Sequence, residues 1–259
     1  MTGAPALIAA SHGTSHPDGQ RAVAALVVAV AAAAHASRVS TEPVTVRESF
    51  VDVQQPDVRK SLGKLDPGVD AVVVPLLLSA GYHVRVDLAR DARETRDRRV
   101  TIAGALGPDP RLARLLARRL AEAGLAPDDV VVLAAAGSTD QNAVEDCHVA
   151  GAQLAELLGR PVAVGFVSAA TPRLADAVSA ARRGAADGRV VLATYLLAPG
   201  YFAELASSAG ADLVTAPLLR ADETVPGELV DVVLDRFSAA CDADVSALSQ
   251  AASDAVTTW

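Results

Sequence analysis

Aromatic side chains are scarce: Phe, Tyr and Trp together make up 3% of the 259 residues. Any core must therefore be packed from Val, Leu and Ala. Cysteine is nearly absent as well, with only Cys147 and Cys241 and no CxxC spacing. Two thiols are too few for a disulfide scaffold, so a reducing, cytoplasmic setting is expected and each thiol reads as a small buried hydrophobe. Positive charge is in deficit, 23 Lys and Arg against 31 Asp and Glu, for a formal net charge of −8. That excludes a general nucleic-acid binder, which needs a basic footprint. No basic segment followed by an apolar core opens the chain, so no signal peptide is expected. Long apolar runs are lacking too. The Ala-rich run Ala22–Ala36 stops short of the ~20 residues needed to cross a bilayer.

What the chain does have is apolar material, 51% of its residues, enough for one large or two smaller cores. The stretch Val72–Asp87, VVVPLLLSAGYHVRVD, organises the rest. It begins with an unbroken Val/Pro/Leu run, the pattern of a strand buried on both faces in a parallel sheet. It ends in Ser79-Ala80-Gly81, Tyr82 and His83, where Gly81 is expected to let the backbone turn. His83 is thereby placed near the carboxyl end of a parallel strand, the edge where open α/β folds bind ligands. Around it the chain alternates. A strand at Pro5–Ala10 breaks into the loop Ser11-His12-Gly13-Thr14-Ser15, and a helix starts at Pro17. A strand at Val44–Val51 precedes a helix opened by Pro56, and a short strand at Val100–Ala103 precedes a Leu/Arg-rich helix. The charged segment after His83 reads as helical or mobile.

The order then repeats. SHGTS at Ser11 aligns with AAGST at Ala135, SFVDVQQP at Ser49 with GFVSAATP at Gly165, and LSAGYH at Leu78 with LAPGYF at Leu197. Three matches in one order at near-constant offset indicate a duplication. The expected fold class is α/β: two flavodoxin-like halves, each a four-stranded parallel sheet flanked by helices. The expected division is 1–126, 127–242 and an Ala/Ser-rich tail, 243–259, with no element assigned to it.

The duplication is an internal control. Residues shared by both copies serve the fold, whereas residues in one copy are free to be chemical. His12 faces Ala136, His83 faces Phe202 and Asp52 faces Ser168, so all three ligand-type residues fall in the first half. Taken singly, a His after a strand reads equally well as a hydrogen-bonded surface residue, and Asp52 as a turn residue. Together, two imidazoles and a carboxylate at separate strand ends suit a borderline divalent metal such as Fe²⁺, Co²⁺, Ni²⁺ or Zn²⁺. A neutral imidazole could instead take a proton near neutral pH. Glu48, four residues before Asp52, would share its face in a regular strand but reads as an exposed strand residue. His16 is explained by helix entry, and His35 and His148 by solvated helix faces. Ser11-His12-Gly13 lacks the Arg of a phosphohistidine motif, and the loop lacks the GK[ST] ending of a phosphate-binding loop.

At these residues the chain resembles the sirohydrochlorin chelatase family. Its His-Gly-Ser/Thr loop is matched by His12-Gly13-Thr14, its Phe-Leu-Glu before Pro by Phe50-Val51-Asp52 with Pro56, and its third strand by Val72–Leu78 followed by His83 and Asp87. Asp52 departs from the family's Glu. The resemblance covers the first half nearly throughout, and the second half is similar to the degenerate copy of two-domain members. It implies two halves facing each other across a cleft. The implied activity is insertion of Fe²⁺ or Co²⁺ into sirohydrochlorin, toward sirohaem or cobalamin, with no nucleotide, redox cofactor or membrane. The implied metal ligands and proton acceptors are His12 and His83, with Asp52. Gly13, Thr14, Ser79, Gly81, Tyr82 and Arg85 are the implied contacts for the carboxylates of the macrocycle. A monomer or weak dimer is expected. A non-catalytic metal or tetrapyrrole carrier on the same fold is the alternative.

Overall fold

A computed structural model describes residues 4–36, 43–79, 81–185 and 188–256, with the side chains of 82–85 and 244–256 left outside the description. The first repeat runs β1 (Ala6–Ser11), α1 (Pro17–Ala36), β2 (Val46–Phe50), α2 (Val58–Gly63), β3 (Ala71–Pro75), α3 (Tyr82–Glu94), β4 (Val100–Ile102) and α4 (Pro110–Glu122). The second runs β5 (Val130–Ala135), α5 (Gln141–Leu158), β6 (Val162–Phe166), α6 (Leu174–Gly184), β7 (Val190–Tyr195), α7 (Tyr201–Ser207), β8 (Leu213–Val214) and α8 (Gly227–Val256). Two parallel sheets result, ordered β2-β1-β3-β4 and β6-β5-β7-β8. The expected fold class is borne out. Local chemistry sets the helix ends: the Asp57, Asp109 and Asp140 side chains accept backbone N–H bonds at the starts of α2, α4 and α5, and Gly159 closes α5 in the left-handed region at φ 63°.

The central strands β1, β3, β5 and β7 are buried on both faces, as their unbroken apolar runs require. On one face of the first sheet Ala6, Ile8, Ala10 and Val73 meet Val58 and Leu62 of α2. On the corresponding face of the second, Val132, Ala134 and Leu192 meet Leu174 and Val178 of α6. The opposite faces share one core, and two helices change sides to build it. Helix α4 lies against α5 and β7 of the second sheet, whereas α8 lies against α1, β3 and β4 of the first. Their buried residues, Leu112, Leu115, Leu116 and Leu120 on α4 and Leu229, Val232, Val233 and Phe237 on α8, belong to that single core. Each repeat thus lends its last helix to the other.

Ion pairs fix the crossing. Arg119 of α4 is 1% exposed; it donates to the Leu218 carbonyl at 3.0 Å and pairs with Glu122 and Glu223, each at 2.8 Å. Asp109 accepts from Arg111 and from Arg236 of α8. Burial alone would raise the Asp109 carboxyl, but the Arg111 side chain and backbone bonds, with Arg236, hold it below its ordinary value.

The junction of the repeats is fastened by Asp129. Its carboxylate accepts from Arg189 at 2.7 Å and from the Ala126 backbone N–H at 2.7 Å. The Arg189 hydrogen bond is the main cause that lowers this carboxyl to about 2. A depressed folded-state value contributes stability above the ordinary carboxyl value near 3.9 that is lost as pH falls through the folded value. The expected result is a urea midpoint that falls between about pH 4 and 2 more steeply in the wild type than in Asp129→Asn, measured by chemical denaturation at each pH.

Several details depart from the sequence reading. Pro56 does not open a helix: α2 begins two residues later, behind Asp57, and in the second copy α6 likewise begins two residues after Pro172, behind Arg173. The charged segment after His83 is helix α3, and His83 stands in its first turn. Gly81 has an ordinary φ of −65°, so it supplies no unusual turn; a Cβ there would lie 2.9 Å from Ser138 Oγ, and the need is for room. Helix α1 spans 20 residues, longer than the apolar run suggested and long enough by length and composition to cross a membrane. It is instead a core helix, with Ala22, Val23, Leu26, Val27 and Val30 buried in the shared core. Helix α8 runs on to Val256 through the Ala-rich stretch left without an element, in keeping with the high helix propensity of Ala.

Candidate functional site

The two repeats meet at a cleft of about 430 Å³ formed at the carboxyl ends of both sheets. From the first half it is lined by Ser11 to Ser15, Val23, Val53, Gln54 and Leu76 to Ser79. From the second come Ala135, Ala136, Cys147 and Tyr195 to Ala203. Among the described lining residues there is no Lys or Arg, and the walls are mainly Leu, Ala, Val and aromatic.

The loop after β1 is shaped by Gly13, at φ +91°; a Cβ there would sit 2.5 Å from the Asp52 carbonyl oxygen. The second copy repeats this at Gly137, φ +90°, with a Cβ 1.9 Å from the Ser168 carbonyl oxygen. The Asp52 N–H donates to the His12 carbonyl at 3.1 Å, and Ser168 N–H to that of Ala136 at 2.9 Å. Val53 and Ala169 both take positive φ, 55° and 56°. Backbone this uncommon for a β-branched residue, present in both copies, is a property of the fold and not of the chemistry.

On this scaffold His12 and Asp52 stand on adjoining loops at one sheet edge, both exposed. The Asp52 carboxylate accepts the Val53 N–H at 2.8 Å. His83 is the second residue of α3, just as Phe202 is the second residue of α7. The side chains of Tyr82, His83 and Arg85 lie outside the described residues, and among the described ones no three His, Cys, Asp or Glu cluster around a metal position. Gly13, Thr14 and Ser79 line the cleft. The Thr14 N–H donates to Gln54 Oε1 at 2.9 Å, and the Thr14 carbonyl accepts from Gln20. Glu48 stays inside β2 opposite Ala9, away from the cleft lining, and partial burial raises its carboxyl.

The same geometry brings in residues that the sequence reading passed over. Gln54, which braces the histidine loop, stands where the second copy has Ala170. His16, set aside as helix entry, approaches Glu204 of α7 across the junction at 3.7 Å. Cys147 is buried as expected; burial raises its thiol to about 11, and Sγ lies 3.9 Å from Ser79 Oγ. Tyr195 joins them, and its hydroxyl crosses to the first half.

Comparison with known proteins decides the relationship. The CbiX family model matches residues 6–123 and 130–206, most of both repeats. The chain belongs to the CbiX family. The sirohydrochlorin cobaltochelatase of Sulfurisphaera tokodaii is 35% identical over 79 residues, which is 30% of this chain and 66% of that protein. The match thus spans just under two thirds of that relative's length. Among solved structures, SirB from Bacillus subtilis with Fe3+ aligns with a TM-score of 0.72 at 20% identity, covering 93% of this chain and 97% of that one. SirB from Bacillus subtilis subspecies spizizenii in complex with cobalt gives 0.65 at 17% identity, covering 90% and 93%. These structural likenesses establish the fold. The family resemblance read from His12-Gly13-Thr14 and the third strand is borne out.

Proposed function

We propose that this CbiX-family chain is a chelatase that inserts Fe²⁺ or Co²⁺ into sirohydrochlorin in the cytoplasm. The observation that carries the reading is the one-sidedness of the cleft. Both repeats bring the ends of their first and third strands to it, and the first has His12 there, with Asp52 on the adjoining loop and His83 at the start of α3, where the second has Ala136, Ser168 and Phe202. The name of the Sulfurisphaera relative and the metals in the two Bacillus structures support the same chemistry.

Insertion replaces two pyrrole N–H protons by one M²⁺, so the site must hold a cation and accept two protons. His12 and His83 are assigned both tasks, as nitrogen ligands to the incoming metal and as bases for the pyrrole protons. Asp52 is assigned to the metal as a carboxylate ligand. Residues 1–126 would thus carry the chemistry, while 127–242 would wall the cleft against the macrocycle. The lining suits such a ligand: apolar walls take the ring, and the hydroxyls of Thr14, Ser15, Ser79 and Tyr201, with loop N–H groups, are left for its carboxylates. Arg85, whose side chain lies outside the described residues, is assigned to the same carboxylates by the family resemblance.

The test is an absorbance assay of purified protein with sirohydrochlorin and either metal. Many turnovers per protein are expected, yielding metallated ring. Spectral change that stops at one ring per protein would replace the chelatase reading by that of a carrier.

A further inference from the structure

We infer that Tyr195 is a positioning residue for the reaction, holding the segment that leads to His83 from the opposite half of the molecule. The inference rests on the chelatase reading above and adds a role for the second repeat.

Tyr195 ends β7 and is 2% exposed. Its hydroxyl donates to the Leu78 carbonyl at 3.2 Å, a bond from the second repeat to the first. Leu78 lies five residues before His83. Burial pushes the Tyr195 phenol above its ordinary value, so it remains a donor through the range in which an enzyme works.

Two neighbours bear on the same segment. Cys147 Sγ is 3.9 Å from Ser79 Oγ, and Gly81 closes against Ser138. Room for the phenol is made by Gly107, where a Cβ would fall 2.1 Å from Tyr195 Oη. The opposite arrangement is missing. The repeat alignment pairs Tyr195 with Leu76, a side chain with no hydroxyl to give the second half's loop, Leu197 to Gly200. The bond therefore runs one way, toward the loop that leads into α3 and His83. A buried carbonyl left without its donor is costly, so the Tyr195 bond favours one position of Leu78 over others.

Tyr195→Phe keeps the ring and removes only the donor. Sirohydrochlorin affinity is expected to stay within about twofold and kcat for Co²⁺ insertion to fall by roughly tenfold, one factor of ten for each ~1.4 kcal/mol of lost positioning. Hydrogen exchange of the peptide covering 76–86 should quicken, with exchange elsewhere unchanged. Faster local exchange with unaltered kcat would make Tyr195 merely structural and overturn the proposal, as would unchanged exchange at 76–86. A general fall in exchange protection across both sheets would also overturn it, by showing that the hydroxyl supports the whole fold. If the wild-type protein inserts neither Fe²⁺ nor Co²⁺, the chelatase reading itself fails, a result seen before any Tyr195 variant is compared.

Discussion

His12→Ala and His83→Ala should each lower the rate of metal insertion by ~10²-fold or more, the scale for losing a positioned acid–base group. The expected loss is in kcat, with sirohydrochlorin binding retained, because the ring meets walls from both repeats. The fold should survive. The second repeat builds the same two loops with Ala136 and Phe202, and the backbone bond from Ser168 to Ala136 matches that from Asp52 to His12. Neither position therefore needs a polar side chain to fold. Single-turnover kinetics with a preformed ring complex would isolate the insertion step. A double His12/His83 variant that retains near wild-type turnover would place the chemistry elsewhere.

The second large effect is expected at the paired glycines. Gly13→Ala and Gly137→Ala each put a Cβ into backbone at φ near +90° and against a carbonyl oxygen, at 2.5 and 1.9 Å. Because the obstructing atom is main chain, relief requires the loops to move. A cost of about 2–4 kcal/mol is expected for each. For a chain of this size that corresponds to a melting midpoint lower by on the order of 5–15 °C. Activity should separate the two. Gly13 abuts Asp52 and follows His12, so its variant should lose insertion rate even well below its melting point. Gly137 stands beside Ala136 and Ser168, and its variant should insert metal at near wild-type rate while folded. Equal losses of activity would mean that the second loop does more than wall the cleft.

How far the molecule could be read in advance follows from which interactions are local in sequence. The central strands were legible because a strand buried on both faces has no polar residue to interrupt it, as at Val72 to Val74 and Val131 to Leu133. The duplication was legible because Gly13 and Gly137 answer a backbone need that recurs, φ near +90° in both copies, and the matching blocks keep their order. The histidine positions followed from the same comparison. What sequence could not give is contact between segments far apart in the chain. Tyr195 reads as the apolar end of a strand until Leu78 is found 3.2 Å from its hydroxyl. Gln54 and Tyr195 did leave a trace, since each faces an apolar residue, Ala170 and Leu76, in the other copy; extending the comparison from histidines to every polar mismatch would have marked them. Helix α7 escaped because its seven residues carry too little periodicity beyond Pro199-Gly200. Its first residues look like the end of the preceding strand.

The exchange of α4 and α8 determines what can be taken from this molecule. A cut near residue 126 falls between two clearly recognisable repeats, yet it would not release two domains. The first piece would keep α4, whose Leu112, Leu115 and Leu116 belong against β7 and α5, and would lack the cover that α8 gives to β3 and β4. The second piece would be bare and encumbered in the mirrored way. Each fragment would therefore carry an unmet apolar face together with the helix that satisfies its counterpart. The chain behaves as a clasp, in which the duplicated halves are mutually dependent while only one of them carries His12 and His83. That dependence gives a reason for the second repeat to persist without counterparts of those residues: the first half's sheet is not covered without it.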